Sequence, residues 1–191
     1  GGFFLRGQPA DYILWLVVGL LVLTVASCHL IPRAETPGTK NFIEPLLNIL
    51  RNGRLVIFMM SASLIQASHA VYYGFSTLHW RANGLDEITI GALWAEGVVA
   101  EIILFAIAGK YINRIGPVVF LTIGGLAGLI RWSVLGMTTD LAGLIAVQGL
   151  HALTFGATHL AALYYIAKAV PAGFAATAQS LYSSFAVGTT M

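Results

Sequence analysis

Six long apolar stretches, each near the length needed to cross a lipid bilayer, follow one another along this chain of 191 residues. A helix crosses the bilayer core with about 20 consecutive, mostly apolar residues. The fold is therefore expected to be all-α, a polytopic bundle of transmembrane helices. The predicted spans are Tyr12–Ile31, Leu55–Leu78, Ile88–Gly109, Pro117–Gly136, Leu141–Ala169 and a sixth that begins near Phe174.

Composition excludes several other classes of protein. Hydrophobic residues make up 58% of the chain and charged residues only 9%, whereas an average globular domain carries about 25% charged residues. A net charge of +2 without a basic patch argues against nucleic-acid binding, and high hydrophobicity excludes disorder. One cysteine, Cys28, allows neither an internal disulfide nor a cysteine-based metal cluster.

The connection at residues 32–54 is much longer than the others and is rich in proline and glycine. It also contains apolar residues between 42 and 50, so part of it is predicted to form an amphipathic helix on the membrane surface. Seven Lys and Arg residues lie in this connection and in the two others on the same side, against two on the opposite side. The positive-inside rule places the long connection in the cytoplasm.

Three charged residues inside the predicted spans are candidates for function, because an unpaired charge in a bilayer costs several kcal/mol. Glu101 lies near the middle of the third span, and Glu96 nearer its outer end. Glu101 is interpreted as a proton-binding or substrate-binding carboxylate, with a structural ion pair as the alternative. Arg131 stays charged, so it must pair with a carboxylate of the substrate or of the protein, such as Glu96 or Glu101, unless it snorkels to the outer interface.

Uncharged polar residues form stripes on two other spans. In the fifth span, Gln148, His151 and His159 lie on nearly one helical face. A histidine there can relay a proton or bind substrate, or it can hydrogen-bond a neighbouring helix. In the second span, Gln66, His69, Tyr73 and Ser76 share a face that lines a water-filled cavity or makes interhelical hydrogen bonds. Gly124 and Gly128 form a GxxxG pattern typical of close helix packing.

The segment from Gly109 to Gly116 resembles the loop signature G-x-x-x-D-R-x-G of the major facilitator superfamily, with Asn113 where aspartate is usual. The resemblance implies the major facilitator fold, with Gly109, Asn113, Arg114 and Gly116 as a gating loop. It also implies that the chain is a fragment covering about helices 6–11 of 12. Residues 1–31 would then be the last helix of the N-terminal half, residues 32–54 the central cytoplasmic loop, and residues 55–191 the C-terminal half, truncated in its fifth helix.

Two closer resemblances add residue roles. The order and spacing of Asn113-Arg114, Arg131 and Leu150-His151 resemble lactose permease. There the matching Arg and His contribute to sugar binding and proton coupling, roles that the resemblance carries to Arg131 and His151. Two carboxylates of that permease are replaced by Thr154 and Val98. The segment Trp94–Ile102 is more similar to the phenylpropionate permease branch, and on this analogy Glu101 is the coupling carboxylate.

These resemblances imply proton-coupled uptake of a small organic solute, such as 3-phenylpropionate or a related aromatic acid, across a bacterial inner membrane. No enzyme activity, cofactor, metal or nucleic-acid partner is expected, and the full-length protein is expected to be monomeric. Proton coupling is assigned to Glu101, His151 and Arg131. The predicted substrate-binding residues are Arg131, Gln148, His151, His69, Gln66, Tyr73 and Glu96.

Three alternative functions stay open at this point. The first is a nucleoside or sugar proton symporter, and the second is an exporter of drugs or metabolites. The most distant is a polytopic membrane enzyme or a metal or haem carrier, with His69, His151 and His159 as ligands. The sequence has neither the H-E-x-x-H metal motif nor the G-x-S-x-G nucleophile motif.

Overall fold

The computed structural model describes residues 10–30 and 43–188. It divides into two units, Gly1–Gly38 and Thr39–Met191. The described part of the first unit is helix α1, Ala10–Cys28. Its large apolar side chains are exposed along the whole helix, and its 18 residues from Asp11 to Cys28 are long and apolar enough to cross a membrane.

The second unit begins with a short helix, α2 (Ile43–Arg51), inside the long connection. The prediction of a helix here is confirmed, and its Ile49 is buried against the rest of the unit. The placement of α2 on the membrane surface stays a prediction, and residues 31–42 of the same region lie outside the described residues.

The second predicted span consists of two helices, α3 (Gly53–Ala67) and α4 (His69–Ala82), which meet at Ser68. The Asn52 side chain caps α3 by accepting a hydrogen bond from the Leu55 amide at 3.2 Å. At the joint, the Ser68 hydroxyl donates to the Ile65 carbonyl at 2.6 Å. The joint therefore lies in the middle of a span of 30 residues.

The third and fourth spans are continuous helices, α5 (Glu87–Ile115) and α6 (Pro117–Met137). Asp86 caps α5 through a 2.7 Å hydrogen bond from the Thr89 amide. The predicted loop from Gly109 to Gly116 is mostly helical, which corrects the expected end of the third span. The break comes only at Gly116, whose φ of 88° favours glycine, and Pro117 then begins α6.

The fifth span is interrupted by a π-helical segment. It runs from α7 (Leu141–Gln148) through the π-helical residues Ala152–Ala157 to α8 (Thr158–Ala169). A 3₁₀ turn (Ala172–Phe174) and helix α9 (Ala175–Gly188) follow where the sixth span was predicted to begin. The 14 described residues of α9 are fewer than a bilayer crossing needs.

The described residues therefore contain five helical stretches that are long and apolar enough to cross a membrane, which confirms the first five predicted spans. Their bounds are Asp11–Cys28, Gly53–Ala82, Glu87–Ile115, Pro117–Met137 and Leu141–Ala169.

Two features hold the second unit together. An apolar core joins α2, α3, α8 and α9 through residues such as Ile49, Leu55, Ile166 and Tyr182. Elsewhere the helices approach closely at glycine: a Cβ atom added at Gly124 would lie 2.9 Å from the Leu153 carbonyl oxygen. The predicted close packing at the GxxxG pattern is thus confirmed, and α6 lies directly against the π-helical segment.

Candidate functional site

Arg131 lies at the centre of a buried polar cluster where α4, α5, α6 and the fifth span meet. Its side chain is fully buried. Its Nη2 donates to Gln148 Oε1 at 3.0 Å, and its Nη1 lies 3.2 Å from His151 Nδ1 and 3.3 Å from Thr154 Oγ1. All three partners are uncharged acceptors if His151 is neutral. The guanidinium is therefore held by polar groups without a direct ionic contact.

Two aromatic rings cover the guanidinium. Its Cζ atom lies 4.5 Å from the centroid of the Tyr72 ring and 4.7 Å from that of Trp132. Both distances are within the range of cation–π interactions. The Tyr72 hydroxyl also accepts a 2.8 Å hydrogen bond from Gln148 Nε2, which donates at 2.9 Å to the Leu93 carbonyl as well. Gln148 is thus fixed from three sides and holds Arg131 in turn.

Of the carboxylates considered as partners of Arg131, neither Glu96 nor Glu101 makes a direct ion pair with it. Within residues 10–30 and 43–188, no Asp or Glu oxygen lies within 4.0 Å of an Arg131 nitrogen. The snorkelling alternative is wrong, because the side chain is inaccessible to solvent. The reason is local, because the Arg131 guanidinium makes its hydrogen bonds with Gln148, His151 and Thr154. A carboxylate of the substrate, or of residues beyond those described, stays a prediction.

His151 connects this cluster to Glu101. The His151 Nε2 and Glu101 Oε2 atoms are 3.7 Å apart, and the Glu101 side chain keeps 17% of its accessible surface. Two glycines allow this approach. A Cβ atom at Gly97 would touch the His151 side chain at 3.4 Å, and one at Gly156 would press on Glu101 Cγ at 3.2 Å. The structure thus brings together the three residues predicted to couple protons.

His69 lies behind His151, in the interior of the unit. It is buried, and its Nδ1 lies 3.1 Å from the Ile65 carbonyl oxygen and 3.2 Å from that of Gln66. Its Nε2 lies 3.1 Å from Thr154 Oγ1. Both ring nitrogens are therefore occupied within the protein.

The second-span stripe crosses the joint at Ser68, and His69 and Tyr73, both on α4, lie together with their ring centroids 5.8 Å apart. Gln66 and His69 point inward, and Gln66 Nε2 donates to the Phe155 carbonyl of the π-helical segment at 3.2 Å. Tyr73 is instead 48% exposed. For Gln66 and His69 the alternative of interhelical hydrogen bonding is confirmed.

A ladder of rings runs along the partly exposed side of His151. The rings of His151 and Phe155 stack with centroids 5.4 Å apart, and those of Phe155 and His159 stack at 6.2 Å. Tyr73 meets His151 edge-on at 6.5 Å and stacks on Trp94 at 5.8 Å. The rings of Tyr73 and Phe155 thus flank the His151 ring.

Glu96 lies apart from the Arg131 cluster. It is partly exposed, and the described residues offer it no hydrogen bond or ion pair. The described residues also contain no group of three His, Cys, Asp or Glu side chains arranged to hold a metal ion.

The predicted gating segment contacts the C-terminal end of the fifth span. Asn113 Oδ1 accepts a 2.6 Å hydrogen bond from the Tyr164 hydroxyl, and Asn113 Nδ2 donates to the Gly109 carbonyl at 3.4 Å. Lys168 lies over the Tyr164 ring, with its Nζ 4.6 Å from the centroid. Arg114 is exposed beside this contact. The asparagine thus ties the turn between α5 and α6 to α8.

Comparison with known proteins gives the family. The model of the MFS_1 like family matches residues 6–191, almost the whole chain. This chain belongs to that major facilitator family. The all-helical membrane bundle is therefore a part of the major facilitator fold, and the chain is a membrane protein.

Two curated relatives of this major facilitator chain are transporters. It is 43% identical over 131 residues to the "Probable 3-phenylpropionic acid transporter" of Escherichia coli K12. The aligned region covers 69% of this chain and 34% of that protein. The chain is 24% identical over 180 residues to the "Uncharacterized transporter YwbF" of Bacillus subtilis 168, which covers 94% of this chain and 45% of that protein. The chain thus spans less than half the length of either relative. No solved structure matches it.

The family assignment confirms the expected resemblance and decides against one alternative. The relatives are transporters and not enzymes, so the polytopic membrane enzyme is not carried further.

Three residues of the cluster were missed by sequence reasoning: Tyr72, Trp132 and Thr154. Tyr72 is three residues after His69 and Trp132 follows Arg131, so helical spacing and adjacency could have pointed to both. Thr154 was noted only as a position where the permease pattern has a carboxylate. It was given no role, because a threonine in a membrane helix usually hydrogen-bonds its own backbone.

Proposed function

We propose that the protein is a proton-coupled transporter that imports a small organic acid, with an aromatic acid such as 3-phenylpropionate as the substrate. The observation that carries the proposal is the line from Arg131 through His151 to Glu101. It combines a permanent buried charge, a neutral bridging group and a partly exposed carboxylate. The printed name of the Escherichia coli relative supports the substrate class.

Arg131 is the fixed element of this line. A guanidinium keeps its proton under all relevant conditions, and here only uncharged groups and rings contact it directly. The nearby charge that can change is Glu101, on the other side of His151. Protonation of Glu101 would leave the positive charge of Arg131 without a balancing anion. A substrate carboxylate would restore that balance.

His151 is the point at which proton and substrate would compete. Because Arg131 Nη1 can only donate, His151 Nδ1 accepts, and the ring proton lies on Nε2, which faces Glu101. An ionised Glu101 occupies this donor. When Glu101 takes a proton, the donor becomes free for the carboxylate of the substrate. Such exclusion couples one proton to one monoanion.

Aromatic side chains next to this donor would hold the ring of the substrate. Tyr73 and Phe155 are partly exposed and flank His151. Stacked or edge-to-face contacts between rings are worth about 0.5–1.5 kcal/mol each. An aromatic acid would therefore be bound at both its carboxylate and its ring.

The other predicted site residues take supporting roles in this proposal. Gln148 bonds Arg131 directly, His69 bonds Thr154 beside it, and Gln66 bonds the Phe155 carbonyl. These three side chains are buried, so they could contact substrate only after a rearrangement. Glu96, on the partly exposed side of α5, would influence access.

Alternating access would require two halves of the full-length protein to rock around this site. The Asn113–Tyr164 contact ties the turn between α5 and α6 to α8. The positive-inside rule would place this turn on the cytoplasmic side, and we propose that Gly109, Asn113, Arg114 and Gly116 gate access there. The membrane would be the bacterial inner membrane and the transporter a monomer.

The test compares two glutamates of the same helix in the full-length protein reconstituted in proteoliposomes. Glu101→Gln should abolish uphill uptake of 3-phenylpropionate driven by a proton gradient and spare exchange of labelled for unlabelled substrate. Glu87→Gln is the matched control, because Glu87 pairs with Arg81 at the exposed end of α5. Uphill uptake at the wild-type rate by Glu101→Gln would contradict the proposal. Uptake of a nucleoside or disaccharide instead would keep proton coupling and replace the substrate, and net efflux would favour an exporter.

A further inference from the structure

Thr154, in the π-helical segment, contacts one side chain of α4 and one of α6. Its hydroxyl lies 3.1 Å from His69 Nε2 on α4 and 3.3 Å from Arg131 Nη1 on α6. The side chain is fully buried. It lies in the π-helical segment, three residues after His151. The proposed transport mechanism gives this residue no role, yet every hydrogen bond it makes has a direction that can be worked out.

The hydrogen-bond donors and acceptors can be assigned in order, beginning with His69 at the helix joint at Ser68. His69 Nδ1 lies between two backbone carbonyl oxygens, those of Ile65 and Gln66. A bare Nδ1 lone pair would face both oxygens, so Nδ1 carries a proton and donates. The second nitrogen of a neutral ring, Nε2, is then an acceptor. A proton there as well would place a second positive charge in the same buried cluster as Arg131.

This fixes the orientation of the Thr154 hydroxyl. A hydroxyl has one proton, and two acceptors compete for it: His69 Nε2 at 3.1 Å and the His151 carbonyl oxygen at 3.3 Å. His69 Nε2 is the nearer of the two acceptors. With the proton on that side, the lone pairs of Thr154 face Arg131 Nη1.

Arg131 Nη1 connects Thr154 to the proton-coupling pair. One of its protons is directed to Thr154 and the other to His151 Nδ1. His151 must accept at Nδ1 and keep its own proton on Nε2, where Glu101 Oε2 lies 3.7 Å away. Because Arg131 can only donate, the His151 tautomer depends on Arg131 Nη1 staying within reach of His151 Nδ1. The bond to Thr154, which His69 orients, holds Nη1 there.

We infer that His69 and Thr154 form a positioning pair that holds Arg131 Nη1 against His151 and thereby keeps the His151 proton on the nitrogen facing Glu101. Neither residue needs to touch the substrate. The expected effect of these residues on transport rests on the proposed function. The tautomer of His151 can be observed whether or not the protein transports anything.

The test uses variants that change one group each in the full-length protein. Thr154→Val removes the hydroxyl and keeps the shape, whereas Thr154→Ser keeps the hydroxyl. His69→Asn keeps a donor toward the Ile65 and Gln66 carbonyls and removes the acceptor at Nε2. Thr122→Val makes the same chemical change on the exposed side of α6, where the hydroxyl donates only to the Val118 carbonyl at 2.9 Å.

Nitrogen-15 NMR of histidine-labelled protein gives the direct readout, with the His151 signals assigned from their loss in His151→Gln. Wild type, Thr154→Ser and Thr122→Val should show a protonated Nε2 and an unprotonated Nδ1. Thr154→Val and His69→Asn should show mixed tautomers. A wild-type His151 spectrum in Thr154→Val would overturn the inference, as would mixed tautomers in Thr154→Ser.

Transport adds a second readout. Because Thr154→Val removes a hydrogen bond to a charged group, the ratio of uphill uptake to exchange should fall about tenfold. His69→Asn should give a similar loss, and the double variant no further loss, because both changes break one chain. Additive losses would overturn the pairing. Failure of Glu101→Gln to affect uptake would remove the proposed function and leave the NMR result standing.

Discussion

The second and fifth spans each contain two regions that differ in both backbone and chemistry. Helix α3, the first half of the second span, and helix α8, the last part of the fifth span, are regular helices that share an apolar core, with Leu55, Met59 and Ile166 fully buried. Halfway along, one span breaks at Ser68 and the other becomes π-helical over Ala152–Ala157. The polar cluster around Arg131 lies where the two irregular stretches face each other.

The difference shows what each kind of contact requires of the backbone. Apolar side chains pack against one another without using backbone hydrogen bonds, so the helices stay regular. At the irregular stretches, side chains take part in backbone hydrogen bonding: His69 and Ser68 donate to the carbonyls before the joint, and Gln66 donates to the Phe155 carbonyl. Irregular backbone at membrane depth is tolerated where protein groups satisfy it in this way, and π-helical turns are frequent at functional sites.

The largest effect is expected when the polar region loses its charge. Arg131→Met should reduce uphill uptake to background, because His151 loses the donor that orients it. Arg131→Lys keeps the charge but cannot bond Gln148, His151 and Thr154 from one planar group, so uptake should still fall at least about tenfold.

A change in the apolar region should behave differently. Leu55→Ala should destabilise the full-length protein by about 2–4 kcal/mol, measured by thermal unfolding in detergent, and the ratio of uphill uptake to exchange should not change. Normal uptake by Arg131→Lys, or a selective loss of coupling in Leu55→Ala, would remove the functional distinction between the two regions.

An intermediate effect is expected at the contact between α6 and the π-helical segment. A Cβ atom at Gly124 would press on the Leu153 carbonyl and the Thr158 side chain, so Gly124→Ala should cost about 1–3 kcal/mol. Gly136→Ala on the same helix is the control, since nothing lies within 4 Å of its added Cβ. Thermal unfolding of both variants is the measurement. Equal stability of the two would show that α6 does not approach the π-helical segment as described.

The smallest effect is expected at the contact between the α5–α6 turn and α8. Tyr164→Phe removes the 2.6 Å hydrogen bond to Asn113 Oδ1, on a part-exposed surface, and should cost about 1 kcal/mol. If this contact gates the transporter, the variant should also change the rate of exchange. An unchanged exchange rate would leave the contact with a structural role only.

Much of the fold could be predicted from hydropathy alone. The fourth span was expected at Pro117–Gly136 and lies at Pro117–Met137, and the fifth agrees with the expected Leu141–Ala169. The third span was predicted too short, because Lys110 and Arg114 end an apolar stretch without ending a helix. The joint at Ser68 was not predicted because neither proline nor glycine marks it.

The sequence identified several residues of the candidate site but not the contacts between them. Helical spacing brought out Gln148 and His151, and the cost of a buried charge brought out Arg131. The neutral surroundings of Arg131 could not be predicted, because they depend on how α4, α6 and the π-helical segment meet. Thr154 matters only through that three-dimensional arrangement.

Proton movement during substrate entry tests the central claim most directly. The full-length protein would be reconstituted in liposomes that contain a pH-sensitive dye, and an inward proton gradient would be imposed. Protein-free liposomes and Glu101→Gln liposomes correct for diffusion of the uncharged acid. The proposal predicts that 3-phenylpropionate, but neither a nucleoside nor a disaccharide, speeds the fall of internal pH beyond both controls. Entry of labelled 3-phenylpropionate without any additional proton entry would contradict the proposed coupling through His151 and Glu101.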